Sequence, residues 1–209
     1  LALIPYFTAG CRGVSYYAAP EDYQGECPER ILTATTDARL IAVDAHTGER
    51  CLQFGELGEI SLSEHMGNDP RIFNFQTSPP GIVRGNAVVG GWVFDNQSVG
   101  EPSGVVRAFD ALSGEFAWAW DMGRPGINTE PLRGEVYTRG TPNVWSLFSV
   151  DEELGLIYAP TGNETPDYFG GQRLESSEQY ASSVVAIDGE TGAVRWSFQT
   201  VHHDLWDWD

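Results

Sequence analysis

Leu40-Ile41-Ala42-Val43-Asp44-Ala45-His46-Thr47-Gly48-Glu49 is a short apolar run closed by Asp-x-x-Thr-Gly, and the pattern returns twice more. The second copy is Val105-Val106-Arg107-Ala108-Phe109-Asp110-Ala111-Leu112-Ser113-Gly114-Glu115, and the third is Val184-Val185-Ala186-Ile187-Asp188-Gly189-Glu190-Thr191-Gly192-Ala193. In each copy the Asp carboxylate is placed to accept turn N–H groups, and the Gly supplies the positive φ that a tight hairpin needs. Four residues past the Gly stand Leu52, Trp118 and Trp196, and two further on stand Phe54, Trp120 and Phe198. Large side chains at alternate positions share one strand face. Repeated unit by unit, such faces are what stacked four-stranded sheets need to pack on one another.

The three Asp residues lie 66 and 78 positions apart. A minimal propeller blade takes about 40–50 residues, so each unit carries inserted loops, which is where function concentrates. The pattern predicts strands over 30–35, 39–43, 81–83, 87–92, 104–110, 115–121, 146–150, 155–159, 182–188 and 193–200. Only 174–180 reads as a short helix. The expected fold class is all-β, a partial β-propeller of about three blades, with units near 1–60, 75–122 and 140–200 and a further unit beginning at 201–209.

Composition agrees. The chain of 209 residues holds 24 Gly and 12 Pro with 12% aromatic residues, a profile of short strands and tight turns. Acidic residues outnumber basic ones 30 to 12, for a formal net charge of -18. Nucleic acid and anionic membrane surfaces both require clustered Lys and Arg, and are excluded as partners. No apolar run reaches the roughly 20 residues that span a bilayer, and the first residues lack the basic flank of a signal peptide. Cys11, Cys27 and Cys51 have no CxxC spacing, which argues against zinc. One disulfide with a free thiol, or three reduced thiols, are both open.

The chain closes on His202-His203-Asp204-Leu205-Trp206-Asp207-Trp208-Asp209. A carboxylate held beside indole rings is partly desolvated, which raises its proton affinity and suits it to act as a base. The same run can also be a corner in which side chains cap backbone groups and an indole packs. The residues alone leave both readings standing.

A wider set of landmarks bears on that choice. Cys11-Arg12-Gly13-Val14-Ser15-Tyr16-Tyr17, Thr77-Ser78-Pro79-Pro80, Asp95-Asn96-Gln97-Ser98 with Glu101-Pro102-Ser103-Gly104, Thr141-Pro142-Asn143-Val144-Trp145, and Tyr180-Ala181-Ser182-Ser183 leading to His203-Asp204-Leu205-Trp206-Asp207 run in order along the chain. This series resembles the pyrroloquinoline quinone (PQQ)-dependent dehydrogenases, and within them the membrane-bound quinoprotein glucose dehydrogenases. The resemblance implies an eight-bladed propeller with PQQ and a divalent metal, calcium or magnesium, in the axial funnel. It implies that Trp145 is the indole on which the quinone stacks, and that Arg12, Thr77 and Asn143 contact PQQ. Asn163, in Thr161-Gly162-Asn163, matches a metal-ligating Asn, and Glu101 is the candidate second ligand, although the spacing of its loop departs from that of the alcohol-oxidising relatives. Oxygen donors of this kind suit a hard cation. Asp207 matches the catalytic base, with Asp204 and His203 orienting the turn and Trp206 walling the site.

The implied reaction is oxidation of an aldose or polyol, with hydride passing to PQQ and electrons onward to ubiquinone at the periplasmic face of the bacterial inner membrane. Methanol-type relatives carry two adjacent cysteines, whereas only Cys11 precedes Arg12, the glucose dehydrogenase pattern. Tyr17 stands where some glucose dehydrogenases place a His, a position expected near the cofactor. The membrane anchor and the later blades are not in this sequence, so the chain alone is not expected to turn over. The competing readings are a non-catalytic propeller scaffold and a carbohydrate-binding protein. Asn163-Glu164-Thr165 and Asn96-Gln97-Ser98 also fit the glycosylation sequon.

Overall fold

The computed structural model describes residues 13–67, 78–91, 93 and 99–208. These residues form three antiparallel four-stranded meanders. The first holds β1 (Ser15–Ala18), β2 (Glu29–Ala34), β3 (Arg39–Asp44) and β4 (Glu59–Ser61), and the second β5 (Gly81–Val83), β6 (Asn86–Val89), β7 (Val106–Asp110) and β8 (Phe116–Trp120). The third holds β9 (Ser149–Asp151), β10 (Leu156–Thr161), β11 (Ser183–Asp188) and β12 (Val194–Gln199), with a single-turn helix α1 (Glu175–Glu178) between β10 and β11. The first strands, β1, β5 and β9, lie side by side across the three sheets, so they are the inner strands and β4, β8 and β12 the outer ones. The all-β partial propeller expected from the repeat is the fold observed.

The Asp-x-x-Thr/Ser-Gly turns join the third and fourth strands. Asp188 Oδ1 accepts from the N–H of Glu190 (3.2 Å) and Thr191 (2.9 Å) and from the Thr191 hydroxyl (2.8 Å). Asp44 and Asp110 make the same three bonds to His46 and Thr47 and to Leu112 and Ser113. Gly48, Gly114 and Gly192 have φ of 73°, 76° and 73°, the left-handed conformation the turn requires. The residue after each Asp then donates its N–H to the preceding hairpin: Ala45 to Glu29, Ala111 to Gly85, and Gly189 to Gly155.

Sheets pack face to face through two apolar clusters. Leu32, Leu40, Phe54, Ala87 and Phe109 fill the space between the first and second sheets. Val83, Val88, Trp118, Trp120, Ile157 and Ile187 fill the next. Trp118 Nε1 donates to the carbonyl of Gly189 at 3.0 Å, so one indole both packs on the following sheet and satisfies its turn. A fully buried Arg30 does this polar work between the first two sheets, donating to Ala111 and to Leu112 (2.8 Å).

The first unit departs from the expected pattern. Leu52 is exposed, and no strand follows Gly48; the outer strand is β4, preceded by a chain of turns. A disulfide between Cys27 and Cys51 fixes this segment, and Phe54 turns inward to meet Gly114 of the second unit. In the third unit Trp196 and Phe198 occupy the positions of the buried Trp118 and Trp120, yet are 46% and 66% exposed, because no further sheet stands against β12 among the described residues. Strands β1 and β4 have no counterpart in the expected set.

Asp188 titrates below the ordinary carboxylate range. Burial pushes it up, but the bonds from Arg195, Thr191 and Glu190 together outweigh that. A carboxylate depressed by folding contributes stability that is present above its unfolded pKa and lost as pH falls through its folded one. Asp188→Asn is therefore expected to cost about 1 kcal/mol near neutral pH, with the gap to the parent closing below roughly pH 3.9. Denaturant unfolding across pH reads this out, and a gap that widens in acid would contradict it.

Candidate active site

Antiparallel meanders leave their connections at two ends. The Asp-x-x-Thr/Ser-Gly turns and the hairpins they bond to lie at one, called here the far end. The near end carries the segments that lead into β5 and β9, the connections between the second and third strands of each sheet, and the segment after β12. Glu101 lies in the β6–β7 connection, Asn143 and Trp145 in the lead-in to β9, Asn163 in the β10–β11 connection, and Asp207 after β12. All five therefore belong to the near end. Arg12 and Thr77 lie outside the described residues.

Backbone bonds draw these loops into one knot. The N–H of Gly140 donates to the carbonyl of Glu101 (2.9 Å), and Thr165 N–H donates to that of Gly140 (3.2 Å). Gly162 N–H donates to the carbonyl of Asn143 (2.8 Å), and Ser182 N–H to that of Gly162 (3.0 Å). The lead-in to β9 thus runs between the other two loops and is bonded to each. Its approach to the second sheet is close: a Cβ on Gly104 would stand 1.7 Å from the carbonyl oxygen of Pro142, so only glycine fits.

Glu101, Asn143 and Asn163 are buried, at 2%, 2% and 4% exposure. The Asn143 Nδ2 is a buried donor with no acceptor among the described residues, an arrangement that costs stability unless another group accepts from it. Asn163 donates from Nδ2 to the carbonyls of Asp204 (3.0 Å) and Asp167 (3.3 Å), while its Oδ1 accepts from the Glu164 N–H (3.0 Å), leaving one amide lone pair among the described residues. A buried carboxylate and a buried amide oxygen on neighbouring loops are donors of the type a hard divalent cation takes. Among the described residues no three His, Cys, Asp or Glu side chains gather as a metal group. The half-buried Trp145 is anchored by its carbonyl, which accepts from the Ser78 hydroxyl at 2.7 Å.

Asp207 is exposed and sits at φ 62°. Its loop is organised by the fully buried Asp204, whose oxygens accept from the N–H of Trp206 (2.9 Å) and Trp208 (2.8 Å) and from the Ser182 hydroxyl (3.2 Å). Burial pushes Asp204 up, but the backbone N–H groups of Trp206 and Trp208 and the Ser182 hydroxyl hold it below the ordinary carboxylate range. Both Asp204 and Asn163 thus serve the same join, one through its side chain and one by holding a carbonyl.

Two sequence expectations change. Tyr17 is not among the near-end residues: it packs in the core between the first two sheets, its hydroxyl beside Gly85 of a far-end hairpin. The Asn163 sequon is unusable as an acceptor, because its amide is buried and donates inward twice; Asn96 lies outside the described residues. Sequence reasoning missed Glu164, a buried carboxylate that accepts from the Leu174 N–H (2.8 Å) and the Ser177 hydroxyl (2.5 Å) and folds the long loop over Asn163. Burial pushes its pKa up. An acid beside Asn163, which family resemblance marks as the candidate ligand, was the available signal.

Comparison with known proteins follows the same line. Residues 5–209 match the family model described as the PQQ glucose/ethanol/alcohol dehydrogenase β-propeller domain. The chain is 46% identical over 207 residues to the glycerol dehydrogenase large subunit of Gluconobacter oxydans (strain 621H), covering 99% of this chain and 28% of that protein. It is 42% identical to the quinoprotein glucose dehydrogenase of Escherichia coli (strain K12), covering 95% and 26%. Among solved structures, the quinohemoprotein alcohol dehydrogenase of Comamonas testosteroni superposes with a TM-score of 0.66 at 25% identity over 95% of this chain and 29% of that one. The chain spans little more than a quarter of the length of these relatives.

Gly104→Ala tests the knot without touching a candidate ligand. The added methyl cannot coexist with the Pro142 carbonyl, so a loss of about 2–3 kcal/mol or more is expected in denaturant unfolding. An unchanged midpoint would mean that the lead-in to β9 does not lie where it is described.

Proposed function

Since the chain belongs to the PQQ-dependent glucose/ethanol/alcohol dehydrogenase β-propeller family, we propose that residues 1–209 are part of a single PQQ-binding propeller domain whose near-end loops hold the cofactor, a divalent metal and the catalytic base. The observation that carries this is the knot itself. It ties two buried oxygen donors, Glu101 and Asn163, to an unpartnered buried donor, Asn143 Nδ2, and to the loop bearing Asp207.

Bound PQQ supplies the two-electron acceptor for the hydride leaving the carbinol carbon of the substrate. Glu101 and Asn163 would hold a calcium or magnesium ion through oxygen, the donor type a hard cation takes, and the ion would supply positive charge beside the reacting groups. Asn143 donates from Nδ2 to an acceptor on the cofactor, and Trp145 offers an indole face for a planar ring. Arg12 and Thr77 complete the contacts by their place in the sequence. Asp207 takes the hydroxyl proton, since an exposed carboxylate on a loop fixed by Asp204 is both reachable by substrate and held in direction.

The substrate class is an aldose or a polyol. That choice rests on relatives named for glucose and for glycerol, both above 40% identity. Electrons pass to ubiquinone. The location is the periplasmic face of the inner membrane, which agrees with the Cys27–Cys51 disulfide, since such bonds persist in oxidising compartments. No helix among the described residues is long and apolar enough to cross a membrane.

The test uses the full-length protein reconstituted with PQQ and calcium or magnesium, assayed by dye-linked oxidation of sugars and polyols. Turnover is expected to require both additions, and Asp207→Asn to lower kcat by about 10²–10⁴-fold while PQQ still binds. Failure to bind PQQ, or an Asp207→Asn variant with parental kcat, would overturn the assignment.

A further inference from the structure

The loop bearing Asp207 has a second hold besides Asp204. Glu178, the last residue of α1, touches the end of β12 and the segment after it, one contact each. Its Oε1 pairs with His203 Nδ1 at 2.8 Å, and its carbonyl accepts from Gln199 Nε2 at 2.9 Å. Gln199 Oε1 in turn pairs with His202 Nδ1 at 2.8 Å, so both histidines trace back to Glu178. The other carboxylate oxygen of Glu178 pairs with Arg173 at 3.4 Å. The Arg173 side chain is 2% exposed, and its Nη2 donates to the Asp167 carbonyl (2.9 Å), the same carbonyl that receives Asn163 Nδ2.

The geometry gives this contact something to do. His203 and Asp207 both adopt left-handed backbone, with φ of 48° and 62°, which residues other than glycine rarely accept without outside support. The His203 ring is seated against the backbone of Gly170, where a Cβ would stand 2.4 Å from Cε1. Its opposite contact is the Glu178 carboxylate. One strained residue is therefore clamped by its side chain four positions before the other, and the clamp belongs to the loop that carries Asn163.

We infer that Glu178 is a positioning residue, acting through His203 to set the direction of Asp207 relative to the Asn163 loop. This rests on the reading of Asp207 as the base. The experiment uses the full-length holoenzyme with Glu178→Ala, Glu178→Gln, His203→Gly, and Glu178→Ala combined with His203→Gly, glycine being chosen because it accepts positive φ. Glu178→Ala is expected to lower kcat about 10–100-fold, as a small displacement of a reacting group does, with KM and PQQ occupancy close to parental. Glu178→Gln keeps an oxygen that accepts from Nδ1–H and is expected to recover most of the loss. The double variant should be no worse than the more severe single, as two partners in one contact require. Parental kcat in Glu178→Ala overturns the inference. So does a loss that Gln does not restore and that follows loss of PQQ or of thermal stability. The base assignment fails separately, through an Asp207→Asn variant that turns over.

Discussion

An antiparallel meander returns its chain to the same end after every second strand, and this alternation governs the molecule. It puts all three Asp-x-x-Thr/Ser-Gly turns at the far end and every described candidate site residue at the near end. The two ends use opposite chemistry. Far-end turns satisfy themselves: one carboxylate oxygen takes three short-range bonds, glycine takes the left-handed step, and the next N–H reaches the neighbouring hairpin. Near-end loops are in addition tied to one another: Gly140 donates to Glu101, Thr165 to Gly140 and Gly162 to Asn143, which is why residues far apart in sequence share one buried neighbourhood.

Burial at the near end is selective. Asp204 is wholly enclosed and stays charged, because backbone N–H groups and a hydroxyl replace the water it lost. Glu164 is enclosed with fewer donors, and its proton affinity rises. Asp207, between Trp206 and Trp208 whose N–H groups Asp204 receives, remains at the surface. A fixed inner carboxylate and an open outer one thus stand within four positions, the pairing on which the proposed role of Asp207 rests. Asn143 shows the complementary case: a donor enclosed with nothing among the described residues to receive it.

Much of the fold was legible because the repeat is local physics. Asp, Thr or Ser, and Gly at fixed offsets specify a turn whatever surrounds it, and the turns at 44–48, 110–114 and 188–192 form as read. Trp118 and Trp120 pack as the pattern requires, whereas Leu52 does not, because Cys51 is tied to Cys27 and the strand gives way to turns. Strands β1 and β4, of four and three residues, carry too short an alternation to stand out. The candidate site was drawn from family resemblance, which marked Glu101, Asn143, Trp145, Asn163 and Asp207, and the structure sets these five at one end. What joins those residues is tertiary. Nothing in the spacing of Glu164, Arg173 or Glu178 announces that they fold one loop and grip another, and Tyr17 looked like a near-end residue until the direction of β1 placed its ring at the far end.

The disulfide also belongs to that far end, joining the β1–β2 connection to the one between β3 and β4. This covalent tie therefore stands at the opposite end from Glu101, Asn143 and Asn163, with the length of a sheet between them. Reduction of Cys27 and Cys51 would release the β3–β4 connection of the first sheet and leave the backbone bonds that join the near-end loops in place. The fold thus separates the part that oxidation state can loosen from the part that gathers the buried polar side chains.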